Sequence, residues 1–176
     1  MLTPGPSDLL TFNDLIELYV IKNLRRVHGV SLRAIRSSIE YAESLGFERV
    51  LLSDGLATMD RSVFFDHLGQ IIAISRSGQV ALREIVQDYL VRLDRSPTNG
   101  PILHPDFMGE EKVDHVFPIA VSPVVAFGQP TITGTAIKTR VVAARVDAGE
   151  SVEEVAEDYG LRLGLVTNAV VFENAV

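Results

Sequence analysis

The sequence predicts a mainly helical α+β protein made of two small domains, and three observations support this. Apolar residues make up 47% of the 176 residues, which is enough for packed cores. Helical periodicity with capping residues occurs near both ends of the chain. Between them, "SPTNGPILHP" at residues 96–105 has the proline and glycine content of a linker. We therefore predict an N-terminal domain over residues 1–95, a linker over 96–115 and a C-terminal domain over 116–176.

The N-terminal domain begins with two amphipathic helices. Thr11 suits the N-cap of the first helix, and Gly29 ends the helix. Asp14, three residues after Thr11, resembles the acidic residue of a capping box with a side chain one methylene shorter. Ser31 caps the second helix, "LRAIRSSIEYAESLG", which Gly46 ends. Because the connection "HGVS" is short, the two helices are expected to form a tight helical corner.

Three further elements complete this domain. "FERVLLSDG" is typical of a short strand and turn, and "SVFFDHLGQIIAIS" of a hairpin that turns at residues 67–70. "GQVALREIVQDYLVRLDRS" carries apolar residues at helical spacing and predicts a long helix. The domain is thus predicted as a MerR-like helical pair followed by a hairpin and a long helix.

The C-terminal domain is predicted as a short β element followed by a three-helix, helix-turn-helix-like bundle. "VFPIAVSPVVAFGQPTITGTAI" indicates strands interrupted by turns, and Pro123 and Pro130 favour edge positions. "KTRVVAARVDAG" predicts the first helix, and Ser151 with Glu154 forms a full capping box for the second. Gly160 ends that helix, and "RLGLVTNAVVFE" begins the third.

Composition excludes several classes of protein. Cysteine is absent, which excludes disulfides and thiol catalysis. No apolar run reaches the roughly 18–20 residues that a membrane span needs. The first residues, "MLTPGPSDLL", lack the basic and long apolar regions of a signal peptide. We therefore expect a cytoplasmic protein without membrane contact.

The Gly- and Thr-rich loop after Phe127 raises the question of a phosphate-binding site. A P-loop needs a lysine directly after its second glycine, whereas Lys138 comes a full helical turn after Gly134. A lysine so displaced would not reach the phosphates. The loop is better explained as a structural turn that leads into a helix.

Other patterns of catalysis or metal binding are weak. A G-x-S-x-G elbow is absent, and Asp54 in "LLSDG" belongs to an Asp-Gly turn pattern. Three histidines lie near aspartates, but without the spacing of metal ligands: His67, His104 and His115. We expect no enzymatic activity, no catalytic residues, no cofactor and no metal.

Charge is unevenly distributed along the chain, whose net charge is −7. Residues 1–100 carry 11 basic and 12 acidic side chains, whereas residues 101–176 carry 5 basic and 11 acidic side chains. No acidic residue lies between Tyr19 and Ser38, and this stretch holds a cluster of five cations: Lys22, Arg25, Arg26, Arg33 and Arg36. The cluster is either a contact for DNA phosphates or the ordinary solvated face of two short helices.

The last two helices have the spacing of a helix-turn-helix. Ala156 is small where the helices would cross, Gly160 lies in the turn, and Val166 would dock the second helix. That second helix would offer few side chains to a DNA groove: Arg162, Thr167 and Asn168. The preceding helix would repel phosphates through four acidic residues: Glu153, Glu154, Glu157 and Asp158. A module for dimerisation or protein binding is therefore favoured over one that recognises DNA.

The segment "PVVAFGQPTITGTAIKTRVVAARVDAGESVEEVAEDYGL" resembles a small bacterial domain family that includes antitoxins of VapBC-type toxin–antitoxin operons. The pattern of that family is P-x-[IV]-x-x-G-x-P-x-[IV]-x-G-T-x-[IV]. It continues with a helix that ends in glycine and a capped helix that ends in tyrosine. Seven residues occupy positions of this pattern: Gly128, Pro130, Gly134, Thr135, Gly149, Glu154 and Tyr159.

The stretch "TFNDLIELYVIKNLRRVHGVSLRAIRSSIEYA" is similar to the second helix pair of MerR-type DNA-binding domains. In that family the helices that enter the DNA groove precede this pair, whereas here only "MLTPGPSDLL" precedes it. We expect either a chain shortened relative to its full gene or a protein without that DNA-recognising head. The cationic cluster then offers phosphate contacts but no assignable base contacts.

Together the resemblances imply an antitoxin that binds and neutralises a PIN-domain ribonuclease toxin and represses its own operon by binding operator DNA. An acidic C-terminal domain suits the basic cleft of a ribonuclease. We also expect a homodimer, because domains this small often need a partner to complete a core. Two alternatives stay open: a stand-alone transcriptional regulator without a toxin, and a small-molecule-binding enzyme.

Overall fold

The computed structural model describes most of the chain: residues 10–46, 49–52, 66–68, 91–94 and 100–175. The chain divides into two compact units, unit 1 over Met1–Val91 and unit 2 over Arg92–Val176. Most of the described regular structure is helical, and the strands form short antiparallel pairs. The predicted mainly helical α+β class is therefore confirmed.

Unit 1 contains two consecutive helices, α1 at Phe12–His28 and α2 at Leu32–Ser44. The predicted capping box of α1 is present: the Asp14 N–H donates to the Thr11 hydroxyl at 3.2 Å, and the Thr11 N–H donates to the Asp14 carboxylate at 2.7 Å. Gly29 ends α1 in the left-handed conformation, with φ of 62°. These local interactions begin and end α1 where the sequence predicts.

An apolar cluster forms the core of unit 1. It joins residues of α1 and α2 to the turn at residues 49–52 and to the segment at 66–68: Val20, Leu24, Val30, Ala34, Ile35, Ala42, Val50, Leu51 and Leu68. Full burial of one large aliphatic side chain contributes roughly 1.5–3 kcal/mol. The corner between the two helices is thus held by packing as well as by its caps.

Three predicted elements of unit 1 differ from the structure or lie outside it. Residues 49–52 form a turn rather than the predicted strand, because a short buried apolar run fits either state. Residues 66–68 are helical, where the sequence predicts the start of a hairpin turn. The rest of the hairpin and most of the long helix lie outside the described residues.

Unit 2 contains two short antiparallel strand pairs. Strand β1, Leu93–Asp94, pairs with β2, Ile102–Leu103, and β3, Ile119–Ala120, pairs with β4, Thr131–Ile132. A further antiparallel bridge between Leu103 and Val121 connects the two pairs. Strand β1 occupies residues that the sequence assigns to the last turn of the long helix.

Much of the predicted linker over 96–115 belongs to the folded part of unit 2. Leu103 is buried, and its N–H donates to Val121 O at 2.9 Å. The Arg92 guanidinium binds the Glu110 carboxylate at 2.6 and 3.0 Å. Proline and glycine content is typical of a linker, but it does not reveal the strand pairing of residues 102–103 or the packing of Phe107 into the core of unit 2.

Three helices complete unit 2, α3 at Thr139–Asp147, α4 at Val152–Tyr159 and α5 at Leu163–Ala175. Helix α5 packs against α3, α4 and β4. Its side chains are apolar around most of its circumference, which is typical of a helix buried in the centre of a domain. The core around it contains Ile119, Ile132, Val142, Val155, Ala156, Val166, Ala169 and Phe172.

The Ser151–Glu154 capping box of α4 is also present. The Glu154 N–H donates to the Ser151 hydroxyl at 3.2 Å, and the Ser151 N–H donates to the Glu154 carboxylate at 2.9 Å. Because of the Ser151 N–H and hydroxyl, the pKa of Glu154 lies below its ordinary value. No helix in the described parts of the chain has the length and apolar content needed to cross a membrane.

Candidate functional site

The cationic cluster of unit 1 lies on the surface of the α1–α2 corner. All five side chains are solvent-exposed: Lys22, Arg25, Arg26, Arg33 and Arg36. Three belong to the second half of α1 and two to the first half of α2. Because the helices meet at residues 29–31, the chain brings these cations to the corner end of the helix pair.

The other end of α1 is acidic and is partly neutralised within the chain. The Arg49 guanidinium binds the Asp14 carboxylate at 2.6 Å and the Glu17 carboxylate at 3.0 Å. The pKa of Asp14 is lowered by hydrogen bonds from the Thr11 hydroxyl and N–H, and further by Arg49. The cations at the corner have no such neutralisation within the described residues, since no ion pair there includes any of them. The corner is therefore a surface to which an anion could bind.

In unit 2, α4 and α5 are joined by a turn at residues 160–162. Gly160 adopts the left-handed conformation with φ of 63°, and the Leu161 N–H donates to Ala156 O at 2.8 Å. Ala156 and Val166 are both buried in the core of unit 2. Of the three residues whose spacing predicts a helix-turn-helix, Gly160 therefore lies in the turn, and Ala156 and Val166 lie in the core.

The structure removes Asn168 from the set of residues that could contact DNA. Its side chain is only 4% exposed. The Asn168 carboxamide accepts from the Glu111 N–H at 2.9 Å and donates to Glu111 O at 3.0 Å and to Gly164 O at 2.7 Å. These hydrogen bonds hold the Glu111 backbone against α5. The buried amide is therefore not available to form hydrogen bonds with a DNA base.

Arg162 and Thr167 are exposed, but both already make intramolecular contacts. Arg162 forms an ion pair with Asp114. The Thr167 hydroxyl donates to Leu163 O at 3.1 Å within α5. Both side chains can still contact a partner, but each of them already has an ion pair or a hydrogen bond within the chain.

The segment at residues 107–116 covers one side of α5. A Cβ at Gly164 would lie 3.1 Å from Val113, and a Cβ at Gly109 would lie 3.1 Å from Val171, so the two backbones run close together. Phe107 packs edge-on against Phe172 at 5.3 Å between ring centroids. These contacts cover one side of α5, at Gly164, Asn168 and Phe172, whereas Leu163 and Thr167 stay exposed to solvent.

Helix α4 presents an acidic face to solvent. Its four carboxylates are all exposed: Glu153, Glu154, Glu157 and Asp158. Asp158 binds Arg145 of α3 at 2.6 Å, and Arg145 also binds Glu150 and lies over the Tyr159 ring. Hydrogen bonds to Glu150 and then to Asp158 raise the pKa of Arg145, and the Arg145 contact lowers the pKa of Glu150. Among the described residues, no ion pair includes Glu153 or Glu157, and these two carboxylates add negative charge to this face.

The Gly- and Thr-rich loop is built as a set of turns. Gly134 has a φ of 79°, and the Thr135 hydroxyl donates to Ile132 O at 2.8 Å while accepting from the Ile137 N–H at 3.1 Å. Lys138 lies at the N-cap of α3 and pairs with Thr131 through the backbone. This geometry assigns the loop a structural role, as the sequence predicts.

The three histidines near aspartates lie in separate environments. The His104 Nδ1 lies 2.8 Å from Ile119 O, and its ring stacks on Phe117. His67 stacks on Tyr41 with 4.2 Å between ring centroids, and His115 lies in a turn. Among the described residues, no three His, Asp or Glu side chains form a group that could hold a metal.

One surface feature was missed by the sequence interpretation. Residues 123–130, here named the tip, connect β3 to β4 and carry Phe127, which is 96% exposed, and Val124, which is 71% exposed. The available signal was an uncharged stretch, "PVVAFGQP", with an aromatic residue beside a glycine and between two prolines. Such a stretch suggests a turn, but it does not say whether the aromatic side chain points into the core or into solvent.

Comparison with known proteins places these features in context. Residues 119–172 match a family described as "Protein of unknown function (DUF433)". The chain is 27% identical over 171 residues to a protein of Mycobacterium tuberculosis (strain ATCC 25618 / H37Rv) named "Putative antitoxin VapB45", covering 89% of this chain and 68% of that protein. It is also 27% identical over 178 residues to "Uncharacterized protein Rv2308" of the same strain, covering 96% of this chain and 72% of that protein.

A solved structure shares the fold. The crystal structure of Rv2018 from Mycobacterium tuberculosis superposes with a TM-score of 0.67 at 22% sequence identity, over 96% of this chain and 83% of that chain. The chain therefore resembles a protein named as an antitoxin over nearly its whole length. It also shares the fold of Rv2018, which comes from the same species as that antitoxin.

Proposed function

We propose that this protein is a non-catalytic, cytoplasmic antitoxin that neutralises a PIN-domain ribonuclease toxin and represses its own operon. The observation that carries this proposal is the similarity to "Putative antitoxin VapB45" over 89% of the chain, which spans both units. The charges of the two units support it, since exposed cations lie on unit 1 and an exposed acidic face lies on unit 2.

Unit 2 is the part proposed to bind the toxin. Residues 101–176 carry a net charge of −6, and α4 presents Glu153 and Glu157 to solvent. A ribonuclease needs a positively charged cleft to hold RNA phosphates, so an acidic protein is attracted to that cleft and excludes RNA from it. The four exposed carboxylates of α4 also favour a protein-binding role over DNA recognition for this unit, because they repel phosphates.

Unit 1 is the part proposed to bind operator DNA. The corner between α1 and α2 presents five cations, and contacts of this type bind phosphates without distinguishing bases. Exposed leucines also lie one helical turn apart on α1, at Leu15 and Leu18. We propose that they contribute to a homodimer, which would place two cationic corners on one operator.

Co-expression tests the toxin-binding half of this function. The full chain, tagged, is produced with the PIN nuclease encoded beside its gene, and the two are purified together at low and at high salt. We expect a stoichiometric complex in which the nuclease no longer cleaves RNA. Repeated absence of a complex with an intact nuclease would refute the antitoxin function.

A stand-alone transcriptional regulator is the second candidate. The cationic corner favours it, because this surface lies wholly within unit 1 and needs no toxin to form. The same purification distinguishes the two functions. Recovery of DNA without any protein partner, with release as salt rises, would support the regulator over the antitoxin.

A further inference from the structure

The tip at residues 123–130 belongs neither to the cationic corner nor to the acidic face of α4, yet its backbone conformation is unusual. Ala126, Phe127 and Gly128 are three consecutive residues in the left-handed region, with φ of 47°, 57° and 75°. Only glycine adopts this conformation without steric cost, and for a bulky residue such as phenylalanine it is a true outlier. Strained backbone of this kind occurs mainly where a side chain must be held in a particular position for binding or catalysis.

Strand pairing and hydrogen bonds connect the tip to the core of unit 2. At its base, β3 and β4 pair in register, and the Thr131 hydroxyl donates to Ala120 O at 3.2 Å. Within it, the Gly128 N–H donates to Val125 O at 3.1 Å. The tip therefore presents Phe127 on a pre-organised support, which reduces the ordering entropy lost when a partner binds.

The exposed side chains of the tip are suited to an apolar pocket on a binding partner. Phe127 and Val124 are largely solvent-exposed, and no residue from 121 to 130 carries an ionisable side chain. Aromatic side chains in fully desolvated pockets dominate the binding energy of protein interfaces. The immediate contact of the tip is therefore expected to be apolar and uncharged.

Net charge decides which partner bears that pocket. A second copy of this chain would bring together two C-terminal regions that each carry −6 over residues 101–176, and these would repel. DNA would be repelled for the same reason. A protein with a basic surface is instead attracted, and the ribonuclease toxin proposed above is such a protein.

We propose that Phe127, supported by Val124, is the apolar anchor with which unit 2 docks into an uncharged pocket on the basic surface of the nuclease toxin. This assignment rests on the antitoxin function proposed above and names the residues that make its protein contact. The acidic face of α4 then steers the encounter, and the tip supplies the short-range contact.

The test measures the Kd of the full chain for the adjacent PIN nuclease, made catalytically inactive, by isothermal titration calorimetry. Phe127→Ala is expected to weaken binding about 30-fold, the loss typical of an interface hot spot. Met108→Ala is the matched control, because Met108 is an equally exposed apolar residue of unit 2 at 88%, and it should change Kd less than about threefold.

A second variant separates binding from folding. Phe127→Gly removes the side chain and also relieves the left-handed strain, so it should raise the Tm while weakening binding as Phe127→Ala does. If both variants bind as wild type does, the anchor assignment is wrong and the antitoxin function stands. If wild type itself does not bind the nuclease, both proposals fail. If Phe127→Ala turns a wild-type dimer into a monomer in sedimentation, the tip is a self-association site and the nuclease assignment is overturned.

Discussion

The cationic corner of unit 1 predicts a measurable salt dependence of operator binding. Each phosphate that a cation neutralises releases counterions, so log K falls with log salt at a slope of about −0.9 per contact. On a half-site that binds a single protomer, contact of all five exposed cations of the corner with phosphates gives a slope of about −4.5. Affinity should then fall about 500-fold between about 50 and about 200 mM salt.

Two substitutions test this value. Arg25→Gln with Arg33→Gln removes one cation from each helix of the corner, and both side chains are exposed, so the fold should be unaffected. The slope should drop to about −2.7, and the loss over the same salt range to about 40-fold. The assay is fluorescence anisotropy with a labelled duplex from the region upstream of the gene.

A matched control removes the same charge from the other unit. Lys112→Gln with Arg140→Gln also eliminates two exposed cations, both in unit 2, and should leave the slope at about −4.5. An unchanged slope in the Arg25/Arg33 variant, or an equal drop in the Lys112/Arg140 variant, would refute the assignment of phosphate contacts to the corner.

Two further predictions concern stability. Asn168→Ala should lower the free energy of unfolding in urea by about 2 kcal/mol, because it leaves the Glu111 N–H and carbonyl without their partner. Thr167→Ala, on the exposed side of the same helix, is the control and should change it by less than about 0.5 kcal/mol. Equal effects of the two substitutions would contradict the structural role of Asn168. The folded-state pKa of Asp14 lies below its ordinary value of 3.8, so the stability gained from its ionised form is present above that pH and is lost as pH falls through the folded-state pKa. Asp14→Asn should therefore be less stable than wild type at neutral pH, with a difference that shrinks as the pH falls below 3.8, and a constant difference in acid thermal melts would exclude this linkage.

The sequence by itself determined the local features of this protein. The capping boxes at Thr11 and Ser151 and the left-handed glycine at Gly160 all lie where the pattern predicts them. Each depends on contacts between residues three to five apart, so the sequence order already specifies them. Net charge and its uneven distribution are likewise properties of composition, and they directed attention to the corner of unit 1 and to the acidic face of α4.

Only the tertiary structure decided which side chains of unit 2 face solvent. Asn168 has the position of an exposed residue on a recognition helix, yet it binds Glu111, 57 residues away, and is buried. Phe127 is of a residue type that is usually buried, yet it lies in the left-handed backbone of the tip and is exposed to solvent. Both outcomes follow from contacts between distant segments and from backbone dihedrals, and neither leaves a periodic trace in the sequence. For the same reason residues 100–115 have the composition of a linker, yet residues 102–103 pair with β1 and residues 107–113 pack on α5.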